Sequence, residues 1–237
     1  MDSSYMVWLM IKRNRDNTMK IYNMSLTAFS LFVSVIIASV LFQPVIAESS
    51  TEAIDPVIES PVALLEKTSA QVIKILRDDH ELLKNEPDRI YKIIDDYILP
   101  HLDDVTMAKL ALGKNWKKAS KQQKREFVDE FKNLLVRTYS KSLIEYKDNE
   151  IKYFPIKLEA DTYKTSVKAE ITQPGGPPIP MAYRLRLKNN AWKVYDIKID
   201  GISLVTSYRG TFTQEIRKSG IEGLLKYLRD KNSKLST

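Results

Sequence analysis

The sequence predicts an α+β protein built on a four-stranded antiparallel sheet, and three observations point there. From Val62 to about residue 147, apolar residues recur at helical spacing. Between Ile151 and Ile199, four short runs alternate apolar and polar residues. The fourth run, Trp192 to Ile199, breaks at Asp200-Gly201, and Ser203 can then cap a helix carrying Leu204, Val205, Tyr208 and Phe212 on one side. Helices, then strands, then helices describe an α+β domain, and short consecutive strands imply an antiparallel sheet with one covered face. A curved sheet of this kind, wrapped by helices, encloses a cone-shaped cavity.

The N-terminal part reads differently. Met19-Lys20 precedes an uncharged run from Leu26 to Phe42, and Gln43-Pro44 and Val45-Ile46-Ala47 follow. A positive start, an apolar stretch and a small-residue stop describe a secretory signal peptide over residues 1–47, cleaved after Ala47, with Met19 as the true start. The alternative is an uncleaved anchor, since the run is near the lower length for spanning a bilayer. Residues 48–61 are polar, contain Pro56 and Pro61, and read as a flexible leader.

A single domain is expected over residues 62–231, with a short tail at 232–237. Val62–Leu83 has a helical face of Leu65, Val72, Ile73, Leu76 and Leu83. Glu86-Pro87-Asp88 starts a second helix with Ile90, Ile93, Ile94, Tyr97 and Ile98, which Pro100 ends. Asp103 or Asp104 caps a short helix closed by Gly113. Ser120 caps a long helix striped by Phe127, Phe131, Leu134, Leu135 and Thr138, with Lys124, Asp129, Lys132 and Lys141 opposite. The strands are expected at Ile151–Leu158, Thr165–Thr172, Met181–Leu187 and Trp192–Ile199. Asn189-Asn190 is a tight hairpin turn, and Pro174 to Pro180 a proline-rich loop. Ile221, Leu224, Leu225 and Leu228 share a face of a last short helix.

Composition limits the chemistry. The 237 residues carry a net charge of +7. The first 47 hold Lys12, Arg13, Arg15 and Lys20 against Asp2 and Asp16, which leaves +5 for residues 48–237. With no cysteine, disulfides, thiolate catalysis and Cys-rich zinc sites are excluded. No Gly-x-Ser-x-Gly elbow or glycine-rich phosphate loop occurs. His101 with Asp103 and Asp104 reads as a capping turn rather than a metal site. Lysines interleaved with Asp78-Asp79, Asp95-Asp96 and Asp103-Asp104 do not make a nucleic-acid platform. Mild positive charge suits anionic membrane surfaces or acidic partners, and Lys117, Lys118, Lys121, Arg184 and Arg186 are docking candidates or simply solvated. Asp196, among apolar neighbours, is either a base or a structural partner of Arg184, Arg186 or Arg209.

Three places carry a family resemblance: Ile98-Leu-Pro-His-Leu-Asp103 leading into Leu112-Gly-Lys-Asn-Trp116; Gln123-Lys-Arg-Glu-Phe127 with Phe131, Leu134, Leu135 and Thr138-Tyr139; and Trp192-Lys-Val-Tyr-Asp196 through Gly201-Ile-Ser-Leu-Val205 to Tyr208-Arg209, with Glu215-Ile216 and Gly220. The ordered set resembles the MlaC, or toluene-tolerance, family of periplasmic phospholipid carriers. The resemblance implies an NTF2-like sheet around a pocket for acyl chains. It implies glycerophospholipid as cargo, with no cofactor, metal or catalytic residue. It also implies hand-over between an outer-membrane lipoprotein–porin complex and an inner-membrane transporter of the ATP-binding-cassette type.

The energetics of that task are demanding. Roughly thirty methylenes at about 0.8 kcal/mol each put exposure of a diacyl lipid on the order of 20 kcal/mol. A carrier therefore needs a dry pocket of large apolar residues. Val167, Ala169, Met181, Tyr183 and Leu185 are the expected sheet wall, and Phe131, Leu135, Tyr139, Leu204, Tyr208 and Phe212 the helix walls. Trp116, Trp192, Asp196, Gly201 and Ser203 are expected to hold the frame. A small-molecule isomerase or hydratase centred on Asp196 and a cavity-free adaptor remain the alternatives.

Overall fold

Several helices begin where a side chain can receive the first free amides. The computed structural model describes residues 58–145, 149–172 and 176–235; the expected signal segment lies outside them. In α1 (Pro61–Asp78), the Ser60 hydroxyl accepts from the Ala63 amide at 3.1 Å and proline opens the first turn. The helix expected from Val62 to Leu83 is bent at Asp79, which separates α1 from α2 (His80–Asn85). Because Leu76 and Leu83 both reach the same core, the bend preserves the stripe. Next come α3 (Arg89–Tyr97) and a 3₁₀ turn, Leu99–His101.

Asp103 caps α4 (Asp104–Leu112), which ends at Gly113 with φ +56°. A Cβ there would meet Arg209 Nε at 3.2 Å, and that same nitrogen donates to the Leu110 carbonyl at 3.0 Å. Arginine and glycine together close the helix. In α5 (Lys121–Glu145), Ser120 and Gln123 form a reciprocal cap, with the Gln123 amide on Ser120 Oγ at 3.1 Å and the Ser120 amide on Gln123 Oε1 at 2.9 Å.

The sheet has five strands among the described residues, in sequence order and wholly antiparallel: β1 (Ile151–Tyr153), β2 (Lys164–Ile171), β3 (Ile179–Lys188), β4 (Ala191–Ile199) and β5 (Ile202–Ser203). The α+β architecture stands, with two corrections to the strands. The fifth strand exists because Asp200 (φ +50°) and Gly201 (φ +79°) make a tight turn instead of only ending β4. The first strand is three residues, not eight, since Pro155 has no amide to continue the ladder. Asn189 and Asn190, at φ +52° and +57°, make the expected hairpin turn.

One irregularity steers the sheet. Arg184 faces Asp196 while Leu185 faces Val194, so Tyr195 is an extra residue in β4. Trp192, Val194 and Ile197 consequently stay on the inner face, whereas Tyr195 turns towards the helices. The free edge of β4 is covered by Leu102, which bridges Val194, and by the Asp103 amide, which donates to the Val194 carbonyl at 2.8 Å.

Ser203 caps α6 (Leu204–Ser207), and α7 (Arg209–Lys234) follows, kinked at Ser219 and Gly220. The expected separate last helix is thus the second limb of α7. Asn232 is buried and donates to the Glu130 carbonyl at 3.0 Å, which ties the end of α7 to α5. Among the described residues no helix is long and apolar enough to cross a membrane.

The interior divides into three apolar clusters. One joins α4, α5, α6 and α7 around Phe127, Phe131, Tyr208 and Phe212, whose rings lie 5.4–5.6 Å apart, both stacked and edge to face. A second sets Leu64 and Leu65 of α1 against Val167, Leu185, Trp192 and Val194 of the sheet. The third packs α1, α2 and α3 through Val72, Leu76, Leu83, Ile90, Ile93 and Ile94.

Candidate functional site

The three clusters meet at one small apolar cleft. Its free volume is about 30 Å³, and its lining is Leu99, Leu102, Asp104, Met107, Val128, Phe131, Lys132, Leu135 and Val136. Leu102 packs against both the helix cluster and the sheet cluster, while Leu99 and Val136 belong to the periphery of the third. Lys132 and Asp104 are the charged members of its wall. The Lys132 ammonium lies 3.5 Å from Asp129 and its side chain is only partly exposed.

The structure distributes the expected pocket residues over two clusters instead of gathering them around one space. Val167, Leu185 and Tyr183 lie in the sheet cluster, and Phe131, Tyr208 and Phe212 in the helix cluster with Leu135 on its flank. Ala169 is buried and Met181 half-buried. Leu204 is only partly covered, because Val205, at 0 % exposure, takes the inward position at the start of α6. Of the eleven, Phe131 and Leu135 border the cleft. Leu99, Leu102, Met107, Val128 and Val136 were not expected to line it. Leu99 and Leu102 flank a proline turn and share no helical stripe, so periodicity gives them no direction. Lys132, expected on the outer side of the long helix, instead lines the cleft.

Hydrogen-bonded phenols punctuate these apolar walls. Tyr139 and Tyr208 interact through their hydroxyls, and burial pushes the Tyr139 phenol far above its usual range. Tyr153 and Tyr183, with ring centroids 5.9 Å apart, share a hydrogen bond that Ser69 of α1 extends. Burial raises both phenols, so they stay neutral.

Two buried carboxylates anchor the frame around this junction. Asp196, 0 % exposed, accepts from Ser203 Oγ at 2.8 Å, the Val205 amide at 3.3 Å and Arg184 Nη1 at 3.4 Å. Ser203 Oγ in turn accepts from the Thr206 amide at 3.0 Å, so the carboxylate organises the first turn of α6. Arg184 also lies over the Tyr195 ring at 4.9 Å. Among the three arginines considered, Arg184 is therefore the partner. Arg186 goes instead to Asp103, and Arg209 to the Leu110 carbonyl. Asp103 accepts from Thr106 Oγ1 at 2.7 Å and Lys188 at 3.1 Å. Burial opposes its charge, but these hydrogen bonds and Lys188 outweigh it and hold its carboxyl below the usual range. No metal-binding group of histidine and carboxylates forms among the described residues.

The other frame residues occupy distinct places. Trp192 is buried in the sheet cluster, and Trp116 packs on the helix cluster with the Lys124 ammonium 5.7 Å from its ring centroid. Gly201 sits in the β4–β5 turn with open space around its Cα.

Comparison with known proteins agrees with this geometry. The family model described as "MlaC protein" matches residues 66–230. The chain is 24 % identical over 163 residues to the toluene tolerance protein ttg2D of Pseudomonas putida, covering 68 % of this chain and 75 % of that one. It is 23 % identical over 200 residues to the intermembrane phospholipid transport system binding protein MlaC of Haemophilus influenzae, covering 83 % and 89 %. The solved structure of a phospholipid-binding protein from Ralstonia solanacearum in complex with a phospholipid superposes with a TM-score of 0.69. Its sequence is 28 % identical, and the match covers 76 % of this chain and all of that one. With a family match over most of its length and this shared fold, the chain belongs to the MlaC family.

Proposed function

We propose that this protein is a phospholipid carrier, and that it works by holding acyl chains away from water rather than by catalysis. The observation that carries the reading is the likeness, over the whole of that neighbour, to a protein solved with phospholipid bound. The cleft adds a location. It is where three separately packed clusters meet, so parting them there disrupts fewer contacts than opening any one cluster. Its present volume of about 30 Å³ is far below the roughly 300–1,000 Å³ of ordinary ligand pockets, so loading requires the clusters to move apart. Lys132 at its wall offers a cation to a lipid phosphate.

In this reading the domain over residues 62–231 acts in the periplasm after removal of residues 1–47, with 48–61 as a flexible leader. It exchanges glycerophospholipid between an outer-membrane lipoprotein–porin complex and an inner-membrane transporter of the ATP-binding-cassette type. The lipid is cargo, and no resident cofactor or metal takes part. Asp196 serves as a prop, since its oxygens are engaged by Arg184, Ser203 and the Val205 amide and it does not line the cleft.

Leu135→Trp tests the location. Its added ring should block the junction and lower uptake of a fluorescent phospholipid from vesicles about tenfold, equivalent to about 1.4 kcal/mol. An unchanged far-ultraviolet circular dichroism spectrum would show the fold intact. Normal uptake by that variant would place the acyl chains elsewhere.

A further inference from the structure

We propose that the outer face of the sheet is an electrostatic docking face for a bilayer containing anionic phospholipid. The inference rests on the carrier reading, because a carrier has to reach a membrane surface to exchange its cargo.

Strand alternation sends Val167, Leu185 and their neighbours to one face and the intervening side chains to the other, where Tyr195 and Asp196 are buried and the cations stay at least partly exposed. Across the three central strands, Lys164, Arg186 and Lys193 stand directly opposite one another. Lys168, Ala182 and Lys198 form a parallel row. With Lys152, Arg184 and Lys188 this face carries eight cations. The carboxylates that meet it are Glu170, opposite Lys152, and the buried Asp103 and Asp196. The balance is +5, equal to the whole excess charge of residues 48–237. The remainder of those residues therefore sums to no net charge.

That arrangement is costly to the fold. Like charges directly opposite on neighbouring strands destabilise a sheet by a few tenths of a kcal/mol or more per pair, and here they span three strands. Asp103 and Asp196 offset Arg184, Arg186 and Lys188, but among the described residues no carboxylate lies within ion-pair distance of Lys164, Lys168 or Lys198. A face kept only for solubility would gain from mixed signs.

The kind of partner follows from what the face lacks. Its middle is Ala182, and its exposed aromatic, Tyr163 at 65 %, stands at one margin with the Lys164 ammonium 5.4 Å from its ring centroid, so the face has no central apolar anchor of the type that dominates protein–protein hot spots. Dispersed lysines on a sheet, without a central pocket, match a diffuse and mobile layer of negative headgroups better than a fixed protein epitope.

Sedimentation of the full-length protein with vesicles tests this. Vesicles of phosphatidylglycerol and phosphatidylcholine should bind it better than phosphatidylcholine alone, and added salt should erase the preference. Lys164→Gln, Lys168→Gln and Lys198→Gln together should reduce that preference roughly 100-fold, at about fivefold per lysine. Lys74→Gln, Lys92→Gln and Lys226→Gln remove the same charge from exposed helix sites and should change it little. No preference for phosphatidylglycerol, equal loss in both triple variants, or salt-sensitive binding to an acidic protein without vesicle binding would each overturn the proposal. Native mass spectrometry on the same samples reports bound lipid independently, so a failed docking face is distinguishable from a failed carrier reading.

Discussion

Asp196 shows how one side chain can hold several parts of the fold. It is buried under the β4 bulge, and its two oxygens join Arg184 on β3, Ser203 at the cap of α6 and the Val205 amide within it. Asp196→Asn keeps the shape but removes the charge that Arg184 and the helix amides meet. We expect a loss of about 2 kcal/mol, seen as a fall in Tm of about 4–8 °C. Phospholipid uptake by the folded fraction should remain, whereas a catalytic Asp196 would give a fully stable but inactive protein. Asp103 makes a second prediction. Its folded pKa is held down by Thr106 and Lys188, so its contribution is complete above the ordinary carboxylate pKa of about 3.9. That contribution disappears as pH falls through the depressed folded value. The Tm gap between wild type and Asp103→Asn should therefore be full at pH 6 and shrink below about pH 4. A gap independent of pH would contradict this assignment. At this scale the sequence was informative about which acids were unusual. It left the partner of Asp196 open among three arginines, because the choice depends on a bulge that no local pattern announces.

Helix starts and tight turns depend on neighbours a few positions away, and these were legible. Ser120, Ser203 and Asp103 cap where a cap was expected, and Asn189-Asn190 turns where a turn was expected. Strand ends were less so. The fifth strand requires β4 as a partner, and two residues cannot display a period. The Tyr195 bulge likewise exists only against β3. Gly201 and Gly210 give a paired test of the turn reading. Gly201 has φ +79° with open space around it, so Gly201→Ala should cost about 1 kcal/mol through backbone strain alone. Gly210 sits in α7 with equally open surroundings and no such constraint, so Gly210→Ala should stabilise by about 0.5–1 kcal/mol. Chemical denaturation of both variants measures the difference, and like signs would contradict the turn assignment.

For the whole molecule, the arrangement of apolar clusters matters more than their total size. The pattern of apolar residues predicted inward faces on the sheet and the helices, and residues of both pack into apolar clusters. It did not predict that the walls pack on different partners, nor that Leu99 and Leu102 sit at their junction with the third cluster. Those relations arise from contacts far apart in sequence. The interior holds a cleft of about 30 Å³ at a three-way junction, and the proposed carrier function requires that junction to open around acyl chains. Lipid that binds the folded chain alone should raise its Tm with the logarithm of one plus the ratio of free lipid to Kd, through mass action. The most direct measurement is native mass spectrometry of the purified protein, with extraction and identification of what it carries. The account predicts a mass excess of about one glycerophospholipid, recovered in the extract. A lipid-free mass, together with no uptake of labelled phospholipid from vesicles, would contradict it.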